Sequence, residues 1–516
     1  MGEVELKFLL DELTSSELGA RVKALKLTDG PPKTRTLKSI YLDTADHALR
    51  KAGIALRLRR DGRRWIQTVK TKPELHGGLS QVGEVENPAP GGRLCLEAIP
   101  DAAVREEVVR RVNGAPLQTV CETVIKRSAS ELCLQDGTRA ELAIDIGEAH
   151  AGERSAELRE VEIELIEGSL GGLFDIAHLL FPAGGLRFSR LSKAERGYLL
   201  AEQGWIDPPL APRNAMAVAI SPTQIAEHAA RDVLRECFDQ VASNAVVIRK
   251  LDDAEGPHQL RIGLRRLRSA FCVFSAVLQS PEMTRLNGEA RWLGQEVGRL
   301  RDLDVVANDI VRREAAVHPD EPGLPALADA LSRRAAVLRD QLRELLREVR
   351  VQAFLIDLAR FIETRGWFVQ QDFGQTERLA ASVVEFAGKA LNKRSKKVRK
   401  SARGLETLTV EQRHELRKDL KTLRYAVEFF SSLYSAKRAD LFQKRLKKLQ
   451  VVFGDLNDAA MVRAMLTGPE APAAGDPAAQ RAIGWVIGAS QARAEFGWAG
   501  AKALWGSLHE ARPFWK

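Results

Sequence analysis

The first residues able to do chemistry come at once. In MGEVELKFLL, Glu3, Glu5 and Lys7 occupy every second position, with Val4, Leu6 and Phe8 between and after them. Such alternation is a β-strand with one charged and one apolar face. The pattern recurs. Arg57 and Arg59 flank Leu58, Lys70 ends RRWIQTVK, Glu84 and Glu86 flank Val85, Arg127 lies in ETVIKRS and Asp145 in ELAIDIG. Glu160, Glu162 and Glu164 alternate with Val161, Ile163 and Leu165. A solvated sheet face mixes Thr, Ser and Gln with its charges and sets opposite signs across strands. Here carboxylates gather on some strands and guanidinium groups on others. If the sheet closes, they share one lumen. Clustered carboxylates repel one another unless a divalent cation joins them, and hard oxygen ligands suit Mg2+ or Mn2+. The Arg and Lys groups then face something strongly anionic, and guanidinium forks match phosphoryl oxygens. A metal-bound oligophosphate satisfies both sets.

The elements that must position these groups follow from periodicity. Strands are expected at 2–10, 37–43, 53–60, 64–71, 80–87, 121–134, 139–147 and 156–166, separated by turn signals at Asp61-Gly62, Gly77-Gly78, Asp136-Gly137 and Gly152. Eight strands in series predict an antiparallel sheet closed into a barrel or tunnel. A Gly/Pro-rich linker at 204–220 follows, and the period then changes from 2 to 3.6. From about 222 to 511 the chain reads as helix, with breaks near Pro257, Pro281, Pro319–Pro325 and 467–477. The fold class is therefore α+β, with a first domain at 1–203 and a helical domain at 221–512.

The helical part is duplicated. HQLRIGLRRLRSAFCVF begins at His258 and HELRKDLKTLRYAVEFF at His414; GRLRDLDV begins at Gly298 and GDLNDAAM at Gly454. Both pairs share one offset of 156 residues. Two repeats of about four helices each are expected, near 221–330 and 375–512. In the first copy His258, Arg261, Arg265 and Arg268 form one stripe, and in the second His414, Arg417, Lys421 and Arg424 repeat it. Neither stripe contains an acid, so each repels itself unless an anion is near. Further basic runs lie at 393–403 and 444–448, where a solvated face is as good a reading.

Charge agrees with this division. Residues 1–205 hold 29 Lys/Arg against 31 Asp/Glu, and the remainder 49 against 38, so the excess of +9 comes from the helical part. A polyanion is its natural partner. No apolar run approaches the roughly 18 residues of a membrane helix. The five cysteines are scattered, with no CxxC, which argues against zinc and disulfides and for a reducing cytosol.

Taken in order, Glu3-Val4-Glu5-Leu6-Lys7, YLDTADHALRKAGIALRLR, RWIQTVK, ELREVEIEL and SKAERGYLL resemble the CYTH domains, the triphosphate tunnel metalloenzymes, over residues 1–200. The resemblance implies an eight-stranded tunnel and metal-dependent hydrolysis of a triphosphate, tripolyphosphate giving diphosphate and phosphate with Mg2+ or Mn2+. It implies that Glu3, Glu5, Asp145, Glu162 and Glu164 hold metal, with Glu160 on the same face. Lys7, Arg57, Arg59, Lys70, Arg127, Arg187 and Lys193 would bind the triphosphate, and Glu84 and Glu86 would bind a second metal or orient water. Where the family often has Arg before that Glu pair, this chain has Val82. No Ser, Cys or His nucleophile stands in the strands, which favours direct hydrolysis.

The repeated H-x-L-R-x-x-L-[RK]-x-L-R pattern resembles CHAD domains over about 220–512. That likeness implies that the two stripes clamp inorganic polyphosphate of long chain length, with cytoplasmic localisation and association with polyphosphate granules. Three other readings compete: a tunnel of the adenylate cyclase or thiamine triphosphatase kind, a weakly catalytic polyphosphate scaffold, and a nucleic-acid binder. The last is disfavoured because no helix-turn-helix pattern or set of stacking aromatics accompanies the stripes.

Overall fold

The computed structural model describes residues 2–10, 15–28, 30–468, 471–472 and 477–515. The chain forms two compact units, Met1–Ala211 with Arg347–Arg365, and Pro212–Leu346 with Gly366–Lys516.

The first unit is built on β1 (Gly2–Leu9), β2 (Lys33–Asp43), β3 (Ile54–Asp61), β4 (Arg64–His76), β5 (Leu79–Pro88), β6 (Gln118–Cys133), β7 (Arg139–Ala151) and β8 (Arg154–Glu167). They close in the order β1-β5-β4-β3-β2-β6-β7-β8, and β8 returns to β1. Every pairing is antiparallel. The expected eight-stranded closed sheet is thus the observed one. The β4–β5 turn requires glycine: Gly78 has φ +79°, and a Cβ there would meet Phe188 at 2.8 Å and the Lys7 carbonyl at 3.0 Å.

The barrel buries its apolar side chains outside and its charges inside. Leu6 and Phe8 of β1, and Val161 and Ile163 of β8, are buried on the outer face. There Phe8 meets the rings of Phe181 and Phe188 at 4.9 and 5.3 Å. Leu56 and Val69 form a second outer cluster with Ile99, Val108 and Val112. Helices rather than an opposing sheet cover these faces, so the period-2 alternation is satisfied with the polar side turned inward. The helix Val349–Glu363 also belongs to this unit. It packs on Leu170–Leu180, Arg360 pairs with Asp175 at 2.5 Å, His178 meets Asp357 at 2.7 Å, and Gln352 accepts from the Leu186 N–H.

In the second unit the duplication is visible element by element. Ala226–Lys250, Glu255–Val273, Pro281–Asp304 and Gly323–Leu345 correspond to Val383–Ser401, Val410–Phe430, Ala436–Thr467 and Pro477–Ala499. Pro281 starts its helix, with the Ser280 side chain as cap, because a first-turn proline lacks only an N–H that would be unpaired anyway. Pro257 sits in the first turn of Glu255–Val273 rather than at a break. The expected break at 467–477 lies mostly outside the described residues. From Pro212 onward the linker is tied down on the second unit: Arg213 pairs with Glu236 at 2.6 Å, and Ser432 Oγ accepts from the Ile220 N–H. No helix among the described residues is long and apolar enough to cross a membrane, and all five cysteines are free.

Candidate functional sites in the tunnel and the basic groove

The strand register brings the charged faces together. Glu5 lies opposite Glu164 and Lys7 opposite Glu162. Asp145 lies opposite Arg127 on one side and Glu160 on the other, and Lys70 lies opposite Glu84. Lys193 enters from the helix Lys193–Gln203, which plugs one end of the lumen by packing Ala194 and Leu200 on Tyr41, Cys121, Ala149 and Ala151. A Cβ on Gly197 of that helix would lie 1.9 Å from Cys121 Sγ, so the plug seats only with glycine there.

Glu162 is the hub. Its carboxylate accepts from Lys7 Nζ at 2.5 Å, Lys193 Nζ at 2.7 Å and Arg127 Nη2 at 2.5 Å. Arg127 also grips Asp145 with both arms, at 2.7 and 2.6 Å. Burial alone would raise both acids, but Lys193, Lys7 and Arg127 hold Glu162 well below the usual carboxylate range, and Lys193 and Arg127 lower Asp145. Glu160 is shared between Lys193 at 2.9 Å and the buried Arg196 at 3.4 Å. Along β5, Glu84 takes Lys70 at 3.1 Å and Arg57 at 3.3 Å, while Lys70 also pairs with Glu3. Burial would raise Glu84, but a hydrogen bond from the Glu3 carboxyl, then Lys70 and Arg57, keep it below its ordinary value. Glu86 is more open and accepts from Thr68 at 2.9 Å.

Two parts of the lumen are left unbalanced. Burial, then Glu3, Glu5, Glu141 and Glu162, push the Glu164 carboxyl up to about 7, and it has no ion pair among the described residues. Glu3 and Glu5 are raised as well, again first by burial. Elsewhere in the lumen Arg59 is pushed down to about 10 by burial and by Arg57 and Arg127, and it has no partner among the described residues. Lys70 pairs with Glu3 and Lys7 with Glu5 at 2.7 Å, so among the described residues it is the Glu164 carboxyl that lacks a cation and the Arg59 guanidinium that lacks an anion. Among the described residues no three of these acids are already drawn together as a metal cage. The donor set nonetheless fits a divalent cation, since Glu3, Glu5, Glu164 and Glu141 are oxygen ligands whose mutual repulsion such an ion would relieve.

Of the residues expected in the tunnel, Arg187 pairs with Asp207 at 3.9 Å, and Asp207 in turn takes Arg196 at 2.5 Å. Val82 lies in register with Glu3, so the position where an Arg was expected is apolar here. Glu141 and Arg196 are additions. Glu141 shares the parity of Asp145, and Arg196 follows Lys193 by one helical turn, so both carried a signal in the sequence. Tyr41 is buried in the plug, and Trp65 packs under Gly92; neither forms an aromatic clamp.

In the second unit the two repeat helices meet where Arg265 donates to the Tyr425 hydroxyl at 3.0 Å and Arg266 pairs with Glu428 at 2.9 Å. Arg261 and Arg417 are held by Asp302 and Asn457, and Arg301 donates to His258 Nδ1 at 2.9 Å. The GRLRD and GDLND segments thus orient the stripes. Burial, then Arg265, Arg417, Arg261 and Arg424, depress the Lys421 amine to about 6. Arg417, His258 and His414 are lowered too, burial first and neighbouring cations next. Arg424 leans over the Tyr425 ring and pairs with Glu428. Arg268 turns outward to Asn287 on the next helix, and His414 is exposed.

A closed antiparallel barrel with a charged lumen, joined to a duplicated basic helical bundle, defines a tunnel-type domain with a helical partner. Residues 1–198 match the CYTH domain and residues 232–467 the CHAD domain. The chain is a CYTH domain followed by a CHAD domain. An inorganic triphosphatase of Haemophilus influenzae is 29% identical over 206 residues, 40% of this chain and 56% of that protein, so the match spans little more than half of the relative. An uncharacterised protein of Mycobacterium tuberculosis is 26% identical over 490 residues, 89% of this chain and 87% of its own. The crystal structure of the CHAD domain from Ricinus communis superposes with a TM-score of 0.51 at 27% identity, covering 58% of this chain and 98% of that one. CYTH tunnel enzymes use divalent metal ions.

Proposed function

We propose that the protein is a metal-dependent inorganic triphosphatase that cleaves tripolyphosphate to diphosphate and phosphate, and that its helical unit binds long-chain polyphosphate. The observation that carries the first part is the divided lumen: Arg59 lacks an anion among the described residues while Glu164, beside Glu3 and Glu5, lacks a cation. A metal triphosphate supplies both. The homologous Haemophilus triphosphatase and the CYTH match support the same reading. Glu3, Glu5 and Glu164, with Glu141, would hold the metal, which when bound neutralises phosphoryl charge and acidifies water. Arg57, Arg59, Arg127, Lys70 and Lys7 hold and orient the phosphates, and stabilise the charge that spreads over the transferring phosphoryl oxygens. Glu84, ionised between Lys70 and Arg57, and Glu86, nearer solvent, orient the attacking water. Tyr41, on the lumen face opposite Arg57, is packed into the plug and offers no free ring to a nucleotide or thiamine moiety, which favours an inorganic substrate.

A substrate panel tests this. Phosphate release with Mg2+ or Mn2+ should be fastest from tripolyphosphate, slower from ATP and thiamine triphosphate, and lost with chelator. Glu5→Gln should lower kcat at least about a hundredfold, the scale of removing one preorganised charge contact. Equal rates on ATP and tripolyphosphate, or an active Glu5→Gln protein, would refute the assignment.

The acids also predict a stability profile. A carboxyl raised in the folded state contributes stability that is full below its unfolded value of 4.5 and is lost as pH rises through about 7. The ligand-free barrel should therefore melt lower at pH 8 than at pH 5.5. Mg2+ or Mn2+ should recover the difference at pH 8 and do little at pH 5.5. Glu164→Gln should flatten the profile; calorimetry with and without metal reads all three.

A further inference from the structure

The duplication maps Arg265 onto Lys421, and Tyr425 onto Ser269, by the same 156-residue offset. The two halves are not equivalent at this point. Arg265 is a guanidinium satisfied by the Tyr425 hydroxyl. Its counterpart Lys421 is an amine, and the hydroxyl that would correspond to that of Tyr425 is on the short side chain of Ser269. Lys421 makes no hydrogen bond or ion pair with any described residue. It is half-buried, with Arg261 and Arg265 facing it from the other repeat and Arg417 and Arg424 flanking it on its own helix. The acids nearby are committed elsewhere: Asp302 holds Arg261, Glu428 holds Arg266 and Arg424, and Asp419 is taken by Lys397 and Ser401. Asp458, behind Arg417, is itself driven toward its neutral form, chiefly by burial. An ammonium surrounded in this way sheds its proton, and a neutral amine is a nucleophile. The guanidinium groups that strip the proton are also the groups that dock a phosphate.

We propose that Lys421 is a covalent acylation site whose acyl donor is an acyl phosphate, docked through its phosphate on Arg261, Arg265 and Arg417. The Nζ lone pair attacks the acyl carbon, the N–C bond forms, and the C–O bond to phosphorus breaks. Inorganic phosphate leaves and takes the surplus amine proton. The product is an amide, which can no longer take up a proton when a polyanion enters the groove, and so weakens the groove's hold on polyanions. The proposal rests on the reading of this groove as an anion site, though not on polyphosphate being that anion.

Acetyl phosphate and the full chain supply the test, with peptide mass spectrometry as readout. At pH 7 Lys421 should acetylate at least about tenfold faster than Lys418 and Lys396, both exposed, because an ordinary lysine is almost wholly protonated there. The advantage should shrink toward pH 9.5 as the ordinary amines deprotonate. Excess tripolyphosphate, or Arg265→Gln with Arg417→Gln, should abolish it. Labelling of Lys421 no faster than of the two comparison lysines would overturn the proposal. So would equal selectivity with a phosphate-free acetyl ester, because docking would then contribute nothing. Polyphosphate binding measured on the same preparation separates the readings: binding without selective labelling sinks only this inference.

Discussion

Glu162→Ala should lower the melting temperature of the barrel by on the order of 10 °C, and added tripolyphosphate should restore more stability to this variant than to the parent. The reasoning starts from the hub. Lys7, Arg127 and Lys193 all converge on one buried carboxylate. Removing one partner of a buried pair costs about 3–5 kcal/mol because the remaining charge stays buried without compensation. A unit of this size shifts by roughly 2–4 °C per kcal/mol. Asp145 and Glu160 remain as partial partners and keep the loss from being larger. An anion entering the lumen takes over the vacated role, hence the larger ligand effect. Glu162→Gln, which keeps hydrogen-bond acceptance without charge, should fall between. A Glu162→Ala protein melting within a degree or two of the parent would mean that the three cations reach water and that the lumen is not a closed electrostatic system.

Replacing Arg265 and Arg417 together by glutamine should weaken polyphosphate binding by about 10²–10⁴-fold, while the ligand-free helical unit keeps its stability to within about 1 kcal/mol. Each charge-assisted hydrogen bond to a phosphate is worth about 1.5–3 kcal/mol. In the free protein these groups repel Lys421 and each other, so their loss relieves strain that offsets the lost bonds to Tyr425 and Asn457. Binding residues and structural residues differ in this pairing of a large affinity effect with a small stability effect. Titration calorimetry with defined polyphosphate and a melting curve of the same variant decide it. A twofold loss of affinity would remove the stripes from the binding surface.

The strands were legible because alternation survives wherever one face is apolar and the other charged, and β1 to β8 all show it. Glu5, Lys7 and Glu162 were found for the same reason, since parity alone assigns a face. Parity does not say how far along the lumen a group lies or which neighbour it meets. Arg187, for instance, meets Asp207, which also takes Arg196 beside Glu160, a contact that alternation along a strand does not report. Glu141 shares the face of Asp145 yet stood outside the recognised motifs. In the helical unit the stripe gave the face of Arg268, whereas the adjoining helix, through Asn287, decides that it turns outward. A repeat alignment sets Tyr425 against Ser269, but that the Tyr425 hydroxyl reaches Arg265 across the helix contact is seen only in the fold.

The helix Val349–Glu363 is synthesised well inside the helical half of the sequence, yet it packs on Leu170–Leu180 of the barrel unit. A ribosome adding roughly 5–20 residues per second therefore finishes the barrel unit roughly 8–30 seconds after residue 211 has emerged. During that interval the outer wall of the tunnel carries Asp175 and His178 without Arg360 and Asp357. A nascent chain stalled before residue 347 would present this uncovered wall to chaperones and proteases, so the barrel unit cannot be released by a single cut at the linker without losing a piece of its own packing.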